Sequence, residues 1–318
     1  MSRDMKDNRR RKKKKIPRAA VFFGVVLLIA VGLLIFIGYQ ITGDSVDIVD
    51  QDEVDPTADE VLIGKAVQKE NDVYNILLVG TDSRNPDSDM GRSDSMMLIS
   101  YNKGKDKATI ISFLRDCLVD IDGYGKSRLG HTYAYGGVGL TINTINEQFD
   151  LDIQKYITIN FENLVNVIDE LGGIQVSLTE EEAAYYREHG MPDIQAGTVT
   201  LSGSQALVHA RNRSLDSDFG RTGRQRDVMY GIYQKILEKR DASTLLSLIN
   251  YCLTQVKTNL SVGEIYDLAT SVLAEDNLQT QQGVVPMDGT YQSVNYEGMA
   301  VLDLDLEANK QRIQELLY

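Results

Sequence analysis

Four charged residues crowd between two apolar runs of this chain. Asp82 and Arg84 close "NILLVGTDSR", and Arg92 and Asp94 open "GRSDSMMLIS". A second group lies in "VHARNRSLDSDFGRTGRQRD", where Arg211 and Arg213 precede Arg221, Arg224 and Gln225. Those last three stand at i, i+3 and i+4, so a helix would carry them on one face. Arg115 ends a third apolar run in "ISFLRD". Guanidinium groups at a helix N-terminus make an anion site, and phosphate is the anion that takes several bidentate donors. Two carboxylates beside them, Asp82 and Asp94, suit a hard divalent cation such as Mg²⁺ that bridges phosphate oxygens. The competing reading is a surface ion-pair network. The concentration of Arg in an otherwise acidic chain weighs against it.

Other chemistries lack their residues. There is no G-x-S-x-G nucleophile elbow, and the three histidines, His131, His189 and His209, form no zinc pattern. "GYGKS" at 123–127 has the ending of a phosphate loop, but the required first Gly falls at Asp120. No G-x-G-x-x-G follows a strand pattern. Serine, zinc and nucleotide-loop chemistry are set aside.

The elements that must position these residues alternate in type. "YNILLVG", "SMMLISYN" and "KATIISFLRD" are short continuous apolar runs, the pattern of strands buried on both faces, with Gly104 and Lys105 in a turn. "VGLTINTINEQFD" spaces Leu140, Ile142, Ile145 and Phe149 as a helix. "YITINF" reads as a strand. "ENLVNVIDELGG" sets Leu164, Val167, Ile168 and Leu171 on one helical stripe that stops at Gly172. "IQVSL" is another strand, and "SQALVHAR" a short helix with Ser204 as its cap. "RTGRQRDVMYGIYQKILEKR" is a longer helix with Val228, Ile232 and Ile236 inward. "VLDLDLEANKQRIQELLY" closes the chain as a strand and a helix. The pattern predicts an α/β fold, a central sheet with helices on both faces, whose site lies at strand ends. Asp82 and Arg84 fall just past the first strand.

Charge and hydropathy set a topology. Residues 1–18 hold ten Lys and Arg against two Asp, and no charge follows until Asp44. The apolar run Ala19–Tyr39 would span roughly 31 Å as a helix, enough for a bilayer core. A cleaved signal peptide is the alternative, but no small-residue cleavage site precedes Thr42. The expected division is a basic cytoplasmic end at 1–18, a transmembrane helix at 19–41, an acidic extracellular stalk at 42–72 and one large domain at 73–318. The basic run abuts the membrane and is too short to fold a reader of bases, so nucleic acid is not an expected partner. Beyond it, 23 Lys and Arg face 44 Asp and Glu, which disfavours indiscriminate polyanion binding. Cys117 and Cys252 lie on the extracellular side in this topology. One disulfide and two buried free thiols are both open readings.

"NILLVGTDSR", "GRSDSMMLIS", "ISFLRD", "HTYAYGG" and "ALVHARNRSLDSDFGRTGRQRDV", in this order, resemble the LytR–CpsA–Psr family of bacterial cell-envelope proteins, as does the single N-terminal anchor. The resemblance implies an α/β/α sandwich with a central mixed sheet and an apolar tunnel for lipid. It implies a phosphotransferase that moves a glycopolymer, such as teichoic acid or capsular polysaccharide, from a polyprenyl-pyrophosphate carrier to peptidoglycan through a phosphodiester. Asp82 and Asp94 would hold Mg²⁺, with Mn²⁺ as an alternative. Arg92, Arg115, Arg211, Arg213, Arg221 and Gln225 fall on the family's functional positions, and Arg84 and Arg224 match its pattern. Asp82, Asp94 and Arg115 are the catalytic candidates, with Asp82 preferred for taking the acceptor's proton. Two departures stand out: Gly130 where the family usually has Asn, and Cys117 where Thr is common. Neither is expected to touch a ligand position. A polyprenyl-pyrophosphate hydrolase and a non-catalytic envelope regulator or scaffold are the other readings, with membrane lipid as neighbour and the oligomeric state left open.

Overall fold

The computed structural model describes residues 63–64, 72–82, 93–238, 255–261, 263–264, 267–268, 271 and 279–318. The expected cytoplasmic end, anchor and most of the stalk, together with Arg84, Arg92 and Cys252, lie outside these residues. Among the described residues no helix is long and apolar enough to cross a membrane.

In chain order the elements are β1 (Val73–Thr81), β2 (Ser93–Asn102), β3 (Lys107–Phe113), β4 (Leu118–Ile121), β5 (Gly125–Arg128), α1 (Thr132–Phe149), β6 (Lys155–Asn160) and α2 (Phe161–Glu170). Then come β7 (Ile174–Leu178), α3 (Glu180–Glu188), β8 (Gly197–Leu201), α4 (Gly203–Arg211), α5 (Asp218–Glu238), β9 (Lys257–Thr258), β10 (Gln279–Val285), β11 (Tyr291–Tyr296), β12 (Met299–Leu304) and α6 (Leu306–Leu317).

Six strands form a mixed sheet in the order β10-β3-β2-β1-β6-β9. β2 runs antiparallel to both β1 and β3, whereas β6 and β10 run parallel to β1 and β3. The C-terminal ends of β1, β3, β6 and β10 therefore meet at one edge, beside the start of β2. That edge collects the acidic and basic residues of the sequence motifs.

The continuous apolar runs are buried on both faces, as their composition requires. Alternate residues Leu77, Val79, Met96, Leu98, Ile111 and Phe113 pack on one face against Leu140, Ile145 and Phe149 of α1 and Ile313 of α6. A second core joins α2, the β7–β8 ribbon, α3, α4 and α5 through Val167, Ile168, Val176, Ala206, Val228 and Ile232. These helices cover the opposite face. Helices on both faces is what alternation of elements implied.

Two expectations need correction and two readings are refined. "IQVSL" forms β7, but it pairs only with β8 in a separate ribbon, and the last strand β12 likewise pairs with β11. The cap of α4 is Ser202, not Ser204: its side chain accepts from Gln205 N, and Gln205 reciprocates in a capping box. α5 begins at Asp218, one turn before Arg221. Cys117 is a buried free thiol whose Sγ donates to Val285 O at 3.7 Å, and burial raises its pKa far above the usual range. The disulfide reading fails at Cys117.

"GYGKS" closes the β4–β5 hairpin, with Gly123 and Gly125 at φ +76° and +73°, and so is no phosphate loop. In α1 the backbone leaves helical geometry at Gly136 and Gly137.

Candidate active site

The edge where the strands end opens into a cavity of about 370 Å³ between the sheet and α2, α4 and α5. The sheet supplies Asp82 after β1, Asp94 near the start of β2 where the pairing with β1 shifts register, and Arg115 after β3. The helices supply Arg211 from the end of α4, Arg213 from the following segment, and Arg221 and Gln225 from the first turns of α5. Apolar side chains join them in the lining: Leu78 and Met97 from the sheet, and Leu164, Leu207, Val228 and Met229 from the helices. The cavity is lined by charged and apolar groups together.

Its charges alternate in sign across separate elements. Asp94 Oδ1 accepts a short hydrogen bond from Arg115 Nη1 and lies 3.9 Å from Arg213 Nη2. Arg213 Nε is 3.2 Å from Asp218 Oδ1, and Asp218 Oδ2 accepts from Arg221 Nη2 at 2.7 Å. Behind Arg115, Asp116 Oδ1 pairs with Arg115 Nε at 3.8 Å and Arg128 Nε at 3.3 Å. Burial raises the Asp218 carboxyl above its ordinary pKa, and Arg213 opposes the shift. The Arg211 guanidinium lies 4.5 Å above the Phe161 ring, a cation–π contact that orients it. Arg221 is buried, and its Nε makes no hydrogen bond among the described residues.

Seven residues singled out from sequence thus line one cavity: Asp82, Asp94, Arg115, Arg211, Arg213, Arg221 and Gln225. Arg84 and Arg92 lie outside the described residues. Arg224 does not join the cavity. It turns to the opposite side of α5, where Nη2 donates to Asn212 O at 2.6 Å and to Asp216 Oδ1 at 2.7 Å, with Glu182 Oε1 at 3.6 Å from Nη1. A helix advances about 100° per residue, so i+3 and i+4 diverge on either side of position i. The surrounding carboxylates draw Arg224 to its side.

Sequence reasoning missed Asp218, Phe161 and Asn160. Asp218 sits inside a quoted motif three residues before Arg221, an i, i+3 carboxylate–guanidinium pair that could have revealed it. Phe161 and Asn160 carried no such signal. Gly130 is no ligand itself but bears on how the loop over the site is held, and its N–H donates to Arg115 O at 2.9 Å. A Cβ there would stand 2.8 Å from Arg115 Cβ and 3.1 Å from Ser93 O. Gly130 seats the backbone on which both Arg115 and Asp94 depend.

The donor set suits a hard divalent cation. Asp82 and Asp94 face the same cavity, and both arginine contacts of Asp94 fall on Oδ1. Among the described residues no group of three or more His, Cys, Asp or Glu gathers around one point. Mg²⁺ fits such a site because it binds through one or two carboxylates and completes its shell with water and phosphate oxygens.

Known proteins resemble this chain in sequence and in fold. A polyisoprenyl-teichoic acid–peptidoglycan teichoic acid transferase, TagU of Oceanobacillus iheyensis, is 32% identical over 291 residues, covering 88% of each chain. The solved structure of TagT bound to LI-WTA superposes with a TM-score of 0.65 at 26% identity, over 82% of this chain and 98% of that one. The structure of TagT (YwtF) with bound octaprenyl pyrophosphate lipid gives 0.61 at 25% identity, over the same shares. The LytR_cpsA_psr family model matches residues 35–315. With that match spanning most of its length, the chain belongs to the LytR_cpsA_psr family.

Proposed function

We propose that this chain is a membrane-anchored phosphotransferase that moves a glycopolymer of the teichoic-acid or capsular type from a polyprenyl-pyrophosphate carrier to peptidoglycan. One observation carries the reading: Arg115, Arg211, Arg213 and Arg221 line the same cavity as the apolar side chains of Leu78, Met97, Leu164, Leu207, Val228 and Met229. That combination matches a lipid whose head is a pyrophosphate. Relatives named as teichoic acid transferases, and a related fold holding octaprenyl pyrophosphate, support it.

In this reading Arg115, Arg211, Arg213, Arg221 and Gln225 donate to the pyrophosphate oxygens, and the apolar walls take the prenyl chain. Asp82 and Asp94 would hold Mg²⁺, and a bound Mg²⁺ would supply charge neutralisation at the phosphate oxygens. The acceptor sugar hydroxyl attacks the phosphorus bonded to the polymer. A new P–O bond forms to the acceptor as the bridging P–O bond breaks, and polyprenyl phosphate leaves. Asp82 takes the hydroxyl proton. The arginines stabilise charge that builds on the transferring and departing phosphates, where such donors contribute most. The anchor at 19–41 would hold the domain 73–318 on the outer face, where carrier and peptidoglycan meet.

The test is transfer of a polyprenyl-pyrophosphate glycan to a peptidoglycan oligomer by the full-length protein, with products read by mass spectrometry. A Mg²⁺-dependent phosphodiester product that Asp94→Ala abolishes is expected. Free sugar phosphate alone would make the protein a hydrolase. Equal transfer by Asp94→Ala would overturn the assigned site.

A further inference from the structure

Asp218 opens α5 and holds two arginines that come from different parts of the chain. Its Oδ2 accepts from Arg221 Nη2 at 2.7 Å within the helix, and its Oδ1 stands 3.2 Å from Nε of Arg213 in the preceding segment. Both arginines line the cavity, whereas Asp218 does not. The carboxylate therefore acts from behind them. It takes Arg213 by the Nε edge and Arg221 by one terminal nitrogen, so donors remain on each fork for a second anion. Long arginine side chains lose much rotamer freedom when they bind, and a group that fixes them beforehand lowers that cost. The adjacent Phe219 packs on Tyr291 with ring centroids 5.6 Å apart, which pins the same turn from its other side.

We infer that Asp218 is a positioning residue that presets Arg213 and Arg221 for a pyrophosphate group, an inference that rests on the transferase reading above. The rival role is an internal competitor, a carboxylate that occupies the arginines until phosphate displaces it. Edge-on engagement of Arg213 favours presetting, because a competitor would occupy the fork that phosphate needs.

The two roles give opposite signs in one experiment. Inorganic pyrophosphate is titrated calorimetrically into full-length wild type, Asp218→Ala and Asp218→Asn, and steady-state transfer is measured beside it. Presetting predicts pyrophosphate binding about 10-fold weaker in Asp218→Ala and turnover lower by about 10²-fold, the loss expected when donors are misplaced by an ångström. KM for the peptidoglycan acceptor should stay at its wild-type value, and added formate should restore part of the turnover. Asp218→Asn keeps the shape and one acceptor oxygen, so it should fall between, and it carries the test if the alanine variant loses its fold. Tighter pyrophosphate binding in either variant would make Asp218 a competitor. Unchanged binding and turnover would remove it from the site. If wild type binds pyrophosphate but transfers nothing to peptidoglycan, the transferase reading fails while the binding comparison still decides the role of Asp218.

Discussion

Gly220 leaves open the space that the Asp216 carboxylate fills. A Cβ at Gly220 would overlap both carboxylate oxygens and their carbon. From that position Asp216 binds Arg224 through both oxygens, Oδ1 at 2.7 Å from Nη2 and Oδ2 at 3.2 Å from Nη1. The same Nη2 holds Asn212 O. The segment between α4 and α5, which carries Arg213, is thereby tied down at both ends. Gly220→Ala should expel Asp216 from this lock and destabilise the domain by about 1–3 kcal/mol, the usual range for overpacking. Thermal melting gives the stability loss, and transfer activity should fall further than the melting temperature accounts for.

Arg224 and Arg115 should separate cleanly. Arg224 is buried among Asn212 O, Asp216 and Glu182, and its removal leaves carboxylates unpaired. Arg224→Met should cost about 3 kcal/mol, the low end for a broken buried pair because Asp216 is partly exposed. Arg115→Lys should melt like wild type yet lose about 10² in transfer rate, since a point charge replaces a planar fork. Urea denaturation beside a transfer assay checks both. Wild-type stability in Arg224→Met would refute the lock.

Gly130 is the tightest constraint on Arg115. A methyl group at this position meets Arg115 Cβ and Ser93 O at once, on either side of the Asp94–Arg115 pair. Gly130→Ala should lower transfer by about 10–10²-fold through displaced Arg115, with a smaller effect on melting. Wild-type activity would show that the loop yields without moving the guanidinium.

His209 should make the domain acid-sensitive. It is buried in the second core with Nδ1 2.9 Å from the Tyr186 hydroxyl, and burial lowers its pKa from 6.5 to about 4. Burial also pushes Tyr186 up to about 12, so the phenol stays protonated beside the neutral imidazole. The unfolded chain binds a proton below pH 6.5 that the folded chain refuses until about pH 4. Stability is therefore full above the unfolded value and falls as pH drops through this window, by at most about 3 kcal/mol. Glu182 opposes and Arg224 reinforces the shift. Urea titrations from pH 7 to 4 should show the slope in wild type and lose most of it in His209→Gln.

The sheet was legible because "NILLVG", "SMMLIS" and "ATIISF" are apolar without interruption, which only strands buried on both faces sustain at that length. Pairing was not. β7 alternates buried and exposed residues and β12 carries an Asp, and each pairs with a neighbour near in sequence rather than joining the central sheet. The site was legible as charge: seven of the residues marked from their type and spacing line one cavity. What spacing could not supply was direction. Arg221, Arg224 and Gln225 look equivalent as letters, and Asp216 and Glu182 decide that Arg224 faces away. Gly130 was marked only as a departure from the family pattern, and its closeness to Arg115 could not be read from the letter, because what matters there is a missing side chain.

A single helix, α5, carries Arg221 and Gln225 a turn ahead of Val228 and Met229, and all four line the cavity. If the proposed carrier binds here, a tail pressing on Val228 and Met229 would bear on the same helix whose first turns meet its head. Tail length would then tune the chemistry as well as the affinity. Carriers with shortened prenyl chains should react more slowly even at saturation, because binding energy remote from the reacting phosphorus is what aligns it.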